Sequence, residues 1–521
     1  MGIIIQLASY VALGLDGTKL ACVLLLVLAC FLAFSIVHHH KSPLQLPPGP
    51  YPLPVIGNIH QVPILQPWKV YGNWNGKYGP IVNLKYGSLR VIILGSNQIV
   101  SDLLEKRGSI YSSRPRAIFA NEHMSKNLNA GLLPYGGRWR IQRQLHNALL
   151  NPRMVQMWLG LLDSESRQLL NNLLHTSDFC REIHRYSISS FFALAYGRQL
   201  RHSNEYEIRE LLELSQSKLH ATNDIRNLIV DAFPCLERLP PILAPWKRQG
   251  SRLYKRTDTL FRKFAAEATS TESWNMVKEA STIATTQSLS EVELVHGIGN
   301  LMEVAHDTTS AVLEVAIMAC VLHPTSVSCL QNELDGVVGP NRLPGFDDIP
   351  NLRYLQAFTN EVLRWRPILP CGIPRENTAD DTYTGYYIPK GSMILPNHWA
   401  LSMDNEVFHN PDEFKPERWL EDPSLPLCAF GFGRRECPGR NLARHSLMIA
   451  ISRLVWSYNF SHAYENGRRV EIDPSQMTSA TLSSPAPFKA RISVRSNDHL
   501  MVIKSSMPDF TSLDQLDMGD R

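Results

Sequence analysis

Cysteine is scarce in this chain, with nine among 521 residues. That density is too low for a disulfide scaffold. No two of the cysteines form a C-x-x-C pair, which removes the common structural zinc sites. An excess of one charge sign is also missing. Lys plus Arg number 52 against 48 for Asp plus Glu, a net charge of +4, so a nucleic-acid partner is not expected. There are no internal repeats, and nothing resembles a flavin or nicotinamide domain. What is present is apolar material. Hydrophobic residues make up 44% and charged residues 19%, enough for a large core and too much for a mainly disordered protein.

Residues 20–37 are apolar except for Ser35. At helical rise they span about 27 Å, close to the hydrocarbon thickness of a bilayer. A cleaved signal peptide fits poorly, because no basic region precedes the run and the run is long for one. The expectation is a retained single transmembrane anchor at 20–37, preceded by a short segment at 1–19. Lys19 and Lys41 flank it, so counting positive charges does not orient it. Residues 38–54 begin with His38, His39 and His40, read as a wet interfacial linker. They end in Pro47-Pro48-Gly49-Pro50-Tyr51-Pro52-Leu53-Pro54, a stiff hinge that cannot be helix or central strand. Residues 55–504 form the body. Residues 505–521, with Asp509, Asp514, Asp517 and Asp520, read as a flexible acidic tail.

Within the body, 81–84 and 91–94 are β-rich runs around Tyr86-Gly87-Ser88, a hairpin. Most of the remainder is helical in pattern, and the Ser/Thr-rich stretch 268–290 reads as a loop. Ser290 and Glu293 make a capping box that opens a proline-free helix ending at Pro324. About 33 residues give roughly 50 Å, enough to cross the whole body. Glu293, Glu303, Asp307 and Glu314 argue against a second membrane span. A further helix covers 352–365 and stops at Arg366-Pro367.

The sharpest chemical signal is Phe430-Gly431-Phe432-Gly433-Arg434-Arg435-Glu436-Cys437-Pro438-Gly439. Its glycines let backbone approach something large and flat. Pro438 suits a first helical position, which would place Cys437 at a helix N-terminus where free amides stabilise a thiolate. Such a thiolate is a metal ligand or a nucleophile. A small buried hydrophobe is the ordinary alternative.

This segment, as Phe430-x-x-Gly433-x-Arg435-x-Cys437-x-Gly439, resembles the haem-ligand loop of the cytochrome P450 superfamily at every defining position. Glu361-Val362-Leu363-Arg364 is similar to the family's Glu-x-x-Arg motif. Pro416-Glu417-Arg418-Trp419 resembles its Pro-Glu-Arg-Phe motif, and Trp139-Arg140-Ile141-Gln142-Arg143 its Trp-x-x-x-Arg motif. The resemblance covers about residues 47–495. The anchor and hinge follow the microsomal type, and residues 485–492 look like fungal secondary-metabolism members. It implies a mainly α fold with small β-sheets and haem b bound through an axial Cys437 thiolate, which favours O–O cleavage. It also implies cofactor binding by Trp139, Arg143, Arg375, Phe430, Gly433, Arg435 and Gly439, and a structural triad of Glu361, Arg364 and Arg418.

Val304-Ala305-His306-Asp307-Thr308-Thr309 resembles the oxygen-activation motif and makes Asp307 and Thr308 the proton-handling pair. Val304 replaces a small residue there and Ala305 a glycine, which puts the usual groove in doubt. By the same resemblance Ile118, Phe119, Leu301, Val304, Ala305, Ile368, Leu369, Ile373 and Leu482 line an apolar pocket, with Cys371-Gly372 leaving room for a bulky ring. The implied activity is insertion of one oxygen atom from O₂ into a lipophilic small molecule of fungal secondary metabolism. Electrons come from NADPH through cytochrome P450 reductase, with cytochrome b5 as an additional donor. Arg138, Arg140, Arg434, Arg440 and Arg444 offer a basic docking face. The implied location is the endoplasmic reticulum membrane, single-pass, with the body facing the cytosol. The alternatives are desaturation, ring formation or coupling at the same haem, or a non-catalytic haem-binding membrane protein.

Overall fold

Helices dominate the computed structural model, which describes residues 45–283, 288–478 and 481–507. The anchor expected at 20–37, the segment before it, the first part of the hinge and the tail from 508 onward lie outside the described residues. Nine helices frame the site. They are α1 (Gly137–Leu149), α2 (Leu159–Leu173), α3 (Phe179–Tyr196), α4 (Tyr206–Asn223), α5 (Ile225–Ala232), α6 (Pro245–Ser270), α7 (Glu291–Leu322), α8 (Arg353–Trp365) and α9 (Arg440–Ser457).

The hairpin forms as the pattern indicates, from β1 (Ile81–Tyr86) and β2 (Leu89–Leu94) with Ile81 opposite Leu94. Two strands from far along the chain complete the sheet. β3 (Arg375–Glu376) pairs antiparallel with β4 (Met393–Pro396), and β4 pairs parallel with β2. The hinge adds a contact that its composition did not disclose. Pro48 offers its carbonyl to the Asn83 N–H at 2.9 Å, and the Asn58 side chain donates to the Pro50 carbonyl at 3.0 Å. Prolines have no N–H to give, so these contacts run through carbonyls, and among the described hinge residues Leu53 adds an N–H donated to Gly57 O at 3.0 Å.

Helix α7 starts at the expected capping box. The Glu293 carboxylate accepts the Ser290 N–H at 2.8 Å while the Ser290 hydroxyl accepts the Glu293 N–H at 3.4 Å. It runs 32 residues to Leu322 and ends before Pro324. Among the described residues it is the one helix long and apolar enough to cross a membrane, but it is buried in the body. It packs on α3, α6, α8 and α9. Gly299 permits the α6 contact, since a Cβ there would sit 2.3 Å from Phe261 Cδ2. The largest core cluster joins Leu313 to Val321 of α7 with Leu355, Phe358 and Val362 of α8 and Ile451, Leu454 and Val455 of α9.

The stretch 268–290 is less of a loop than its Ser/Thr content indicates. Helix α6 continues to Ser270, and a further helix covers Met276–Thr282. Asn275 caps that helix by accepting the Lys278 N–H at 3.0 Å. A polar residue read there as loop is a helix start.

Candidate active site

The cysteine loop is shaped by backbone first. Gly431 and Gly433 hold φ of +72° and +50°, a region open to glycine at little cost. A Cβ on Gly433 would also lie 2.5 Å from the Leu104 carbonyl. The loop closes through the Cys437 N–H, which donates to the Phe430 carbonyl at 2.8 Å. Helix α9 begins at Arg440 with Gly439 as its cap, so Pro438 precedes the helix and does not occupy its first position. The consequence for the sulfur survives, because the N–H groups of Gly439 and Arg440 still point to Cys437. Burial pushes the thiol's pKa up, while these amides and the Arg143 charge pull against it.

Cys437 lies on the wall of a largely apolar cavity of about 290 Å³. Trp139 and Arg143 of α1 reach it, as do Arg375 of β3 and Phe430 and Arg435 of the loop. Gly433 and Gly439 shape the loop but are not among the lining residues. Leu301, Val304 and Thr308 of α7 and Ile368, Leu369 and Ile373 form the far side.

The lining arginines are fixed by backbone carbonyls. Arg143 donates to Glu436 O at 2.7 Å and Arg435 to Ser112 O at 2.8 Å. Arg435 also lies over the Trp139 ring, 4.2 Å from its centroid. Arg114 is a further guanidinium in this wall, donating to Gly131 O at 2.8 Å and Ile373 O at 2.7 Å.

Five guanidiniums, those of Arg114, Arg143, Arg366, Arg375 and Arg435, therefore line one cavity, and no Asp or Glu lines it among the described residues. Burial holds Arg435 down to about 9, with Arg375 and Arg143 adding repulsion. Burial likewise holds Arg375 down to about 10, offset only by Glu105 outside the cavity. His398, also in the wall, is held down to about 4 by burial and by Arg375. Buried cations without counter-charge are costly unless an anion joins them. A flat apolar group carrying two carboxylates and a metal for the sulfur would match the wall. Haem b has those features, and the residues present fit it.

Beneath the loop, Glu361, Arg364 and Arg418 meet as the motifs imply. Arg364 Nε and Nη2 donate to the two Glu361 oxygens at 2.8 and 2.7 Å, and Arg418 Nε donates at 3.2 Å. Arg364 Nη1 also reaches Ser402 O and Pro411 O, each at 2.8 Å. Trp419, which stands where the motif has Phe, donates its indole N–H to Glu361 at 2.9 Å.

Several expected positions lie elsewhere. Asp307 does not line the cavity. Its Oδ2 accepts the Ser215 hydroxyl of α4 at 2.6 Å. Thr308 does line it, and its hydroxyl donates to Val304 O at 2.9 Å. Ile118 and Phe119 pack with Met124, Val230 and Trp246 in a separate cluster, because the helical turn Ile118–Met124 puts its apolar side against α5 and α6. Ala305 packs into the α3–α6 core. Leu482 is not a lining residue, and the space at Gly372 is filled by His398 and Pro396. On the cysteine side, Arg440 and Arg444 border an open cleft. Arg138 turns instead to Glu293 at 2.7 Å.

The turn Ile118–Met124 is latched by an acid. Asp231 of α5 accepts the Ile118 N–H at 2.5 Å, and burial raises its pKa from 3.8 to about 6. A carboxyl whose folded pKa is raised costs stability as pH climbs from about 4 through 6. Asp231→Asn keeps the accepting oxygen and removes the charge. It should be neutral near pH 4 and gain roughly 1–3 kcal/mol by pH 7. Thermal unfolding of both proteins from pH 4 to 7.5 checks this, and a variant less stable at pH 7 would contradict it.

Comparison with known proteins agrees with this geometry. The family profile "Cytochrome P450" matches residues 47–490. The cytochrome P450 monooxygenase aneD of Aspergillus aculeatus is 45% identical over 494 residues, covering 93% of this chain and 95% of the relative. FrzL of Cladobotryum sp is 43% identical over 479 residues, covering 91% and 93%. The cytochrome P450 monooxygenase peniB of Penicillium patulum is 41% identical over 491 residues, covering 94% and 92%. The family's cofactor is haem b on a cysteine thiolate, the group that this arginine-lined cavity fits, and the chain belongs to the cytochrome P450 family of monooxygenases.

Proposed function

We propose that this chain inserts one oxygen atom from O₂ into a lipophilic small molecule of fungal secondary metabolism, with Cys437 as the haem ligand. The observation that carries the reading is the placement of Cys437 in a mostly apolar cavity lined by five arginines and, among the described residues, by no Asp or Glu. Haem b held by a thiolate supplies the electron push that favours O–O cleavage.

The chain's own residues do the rest. Arg114, Arg143, Arg375 and Arg435 bind and orient the cofactor's carboxylates, with Trp139 stacked under Arg435. Leu301, Val304, Ile368, Leu369 and Ile373 exclude water and receive an apolar substrate. Thr308 holds a hydroxyl at the cavity wall, and Asp307 supplies it with protons from the opposite face of α7.

Electrons arrive from an NADPH-dependent reductase docking near Arg440 and Arg444. Support for a membrane surface comes from an exposed apolar patch. Ile225, Leu228 and Ile229 of α5 are exposed, as are Val55 and Ile56 on the segment tied to it, and Ile242 and Leu243 are exposed as well. The backbone bonds Ser88 N–H to Ala232 O and Gly87 N–H to Ile56 O hold these segments together. With the apolar run at 20–37, the patch favours a body resting on the cytosolic side of the endoplasmic reticulum.

Turnover of lipophilic metabolites under ¹⁸O₂ with a competent reductase tests the reading. Label in the product is expected. Product without label, with NADPH consumed, would establish desaturation or coupling instead. In the same assay Thr308→Ala should keep the thiolate spectrum and raise peroxide release at the expense of product. Unchanged coupling would remove Thr308 from proton handling.

A further inference from the structure

Helix α7 has two unlike faces. Gly297, Leu301, Val304 and Thr308 face the cavity. Glu303, His306, Asp307, Ser310 and Glu314 face α3 and α4, where Lys218 holds Glu303 at 2.8 Å and Ser215 holds Asp307. His306 is the anomaly on that face. It is fully buried, and neither ring nitrogen has a hydrogen-bond partner. Buried polar atoms are normally satisfied, so an imidazole with two open nitrogens is poor packing material. Its Nδ1 lies 3.3 Å from Asp307 Oδ1. The charges of Glu303, Asp307, His184 and Lys218 all act on it. His184 of α3 pairs with Glu314 at 3.2 Å, and its side chain is 30% exposed.

We infer that His306 is the proton-exchange partner of Asp307, linking it to the partly exposed His184 and its buried partner Glu314. This rests on Asp307 handling protons as proposed above. When Asp307 has passed a proton towards Thr308, its carboxylate takes the proton of His306 Nδ1–H. An O–H bond forms as that N–H bond breaks. His306 Nε2 takes a proton from the His184 side, and His184 regains one from solvent, so the ring stays neutral and one proton has moved inward. Burial disfavours the charged form of His306, with His184 and Lys218 adding to this and Asp307 and Glu303 opposing it. A neutral ring relays by exchanging tautomers. His184 is held up by Glu314 despite its burial, which suits the entry position.

His306 is a positioning residue that acts through Asp307, so its test reads more than turnover. With reductase, NADPH and O₂ alone, His306→Gln should raise the peroxide released per NADPH by about 3- to 10-fold, below the effect expected for a group that delivers the proton to the reacting atoms. It should shift the pH profile of that ratio, and it should add nothing in an Asp307→Asn background. His184→Gln, at a partly exposed site, should shift the same profile. Independently of activity, one histidine in ¹⁵N-histidine-labelled protein should change its tautomer ratio or titration midpoint on Asp307→Asn. The inference is overturned if His306→Gln keeps the wild-type ratio and profile, if its effect is additive with Asp307→Asn, or if no histidine resonance moves. Should Asp307→Asn itself leave the peroxide ratio unchanged, the proton role of Asp307 fails as well. The inference fails alone when Asp307→Asn acts and His306→Gln does not.

Discussion

Cys437→Ala is expected to give a folded protein whose reduced carbon-monoxide adduct lacks the red-shifted Soret band of thiolate ligation. The sulfur is the one soft donor in the cavity wall among the described residues. Burial raises its pKa above the ordinary thiol value, and the Gly439 and Arg440 amides recover only part of that. The metal-free group is therefore a thiol near neutral pH, and the metal must displace its proton. Metal binding at a raised thiol releases a proton and weakens as pH falls. Haem incorporation into the wild type should decline at low pH with that sign. Residual haem in the alanine variant, held by arginines and apolar contacts, should show no thiolate signature. A retained thiolate band would place the ligand elsewhere, and Cys371 and Cys428, both neutral thiols raised by burial to about 12 and about 11, would then be examined.

Glu361→Ala should be the most destabilising single change. Glu361 is completely buried. It accepts bonds from Arg364, Arg418, the Trp419 indole and the Lys415 N–H, the last at 2.9 Å. Removing it strands two buried guanidiniums, a defect worth about 3–5 kcal/mol. Total stability is only about 5–15 kcal/mol, so little folded holoprotein is expected. Glu361→Gln keeps one accepting oxygen but loses the charge, and should fall between. Haem content per protein and the thermal midpoint of all three proteins measure this. Normal values in the alanine variant would show that the network does not support the cysteine loop.

The parts of the site legible in the sequence are those built over short distances. The loop around Cys437 is specified by Gly431 and Gly433, whose positive φ is a local property. The start of α7 is specified by Ser290 and Glu293, three residues apart. Glu361 and Arg364 meet because three positions on a helix share a face. The loop read at 268–290 failed where a local signal has two meanings, since Asn275 serves a turn and a helix cap equally well.

Sequence alone thus determined the local pieces, namely a cysteine in a glycine-rich loop, an acid beside a threonine on one long helix, and a Glu-x-x-Arg pair on another. Only the tertiary structure decided which groups face the cavity. It brought Arg114 to Arg375 and Arg435, and it placed Asp307 against Ser215, 92 residues away. It also set Ile118 and Phe119 against α5 and α6. The physical reason is range. Turn and helix preferences act over a few residues, whereas burying a guanidinium or turning a carboxylate from the cavity depends on the carbonyls and hydroxyls that distant segments bring to it.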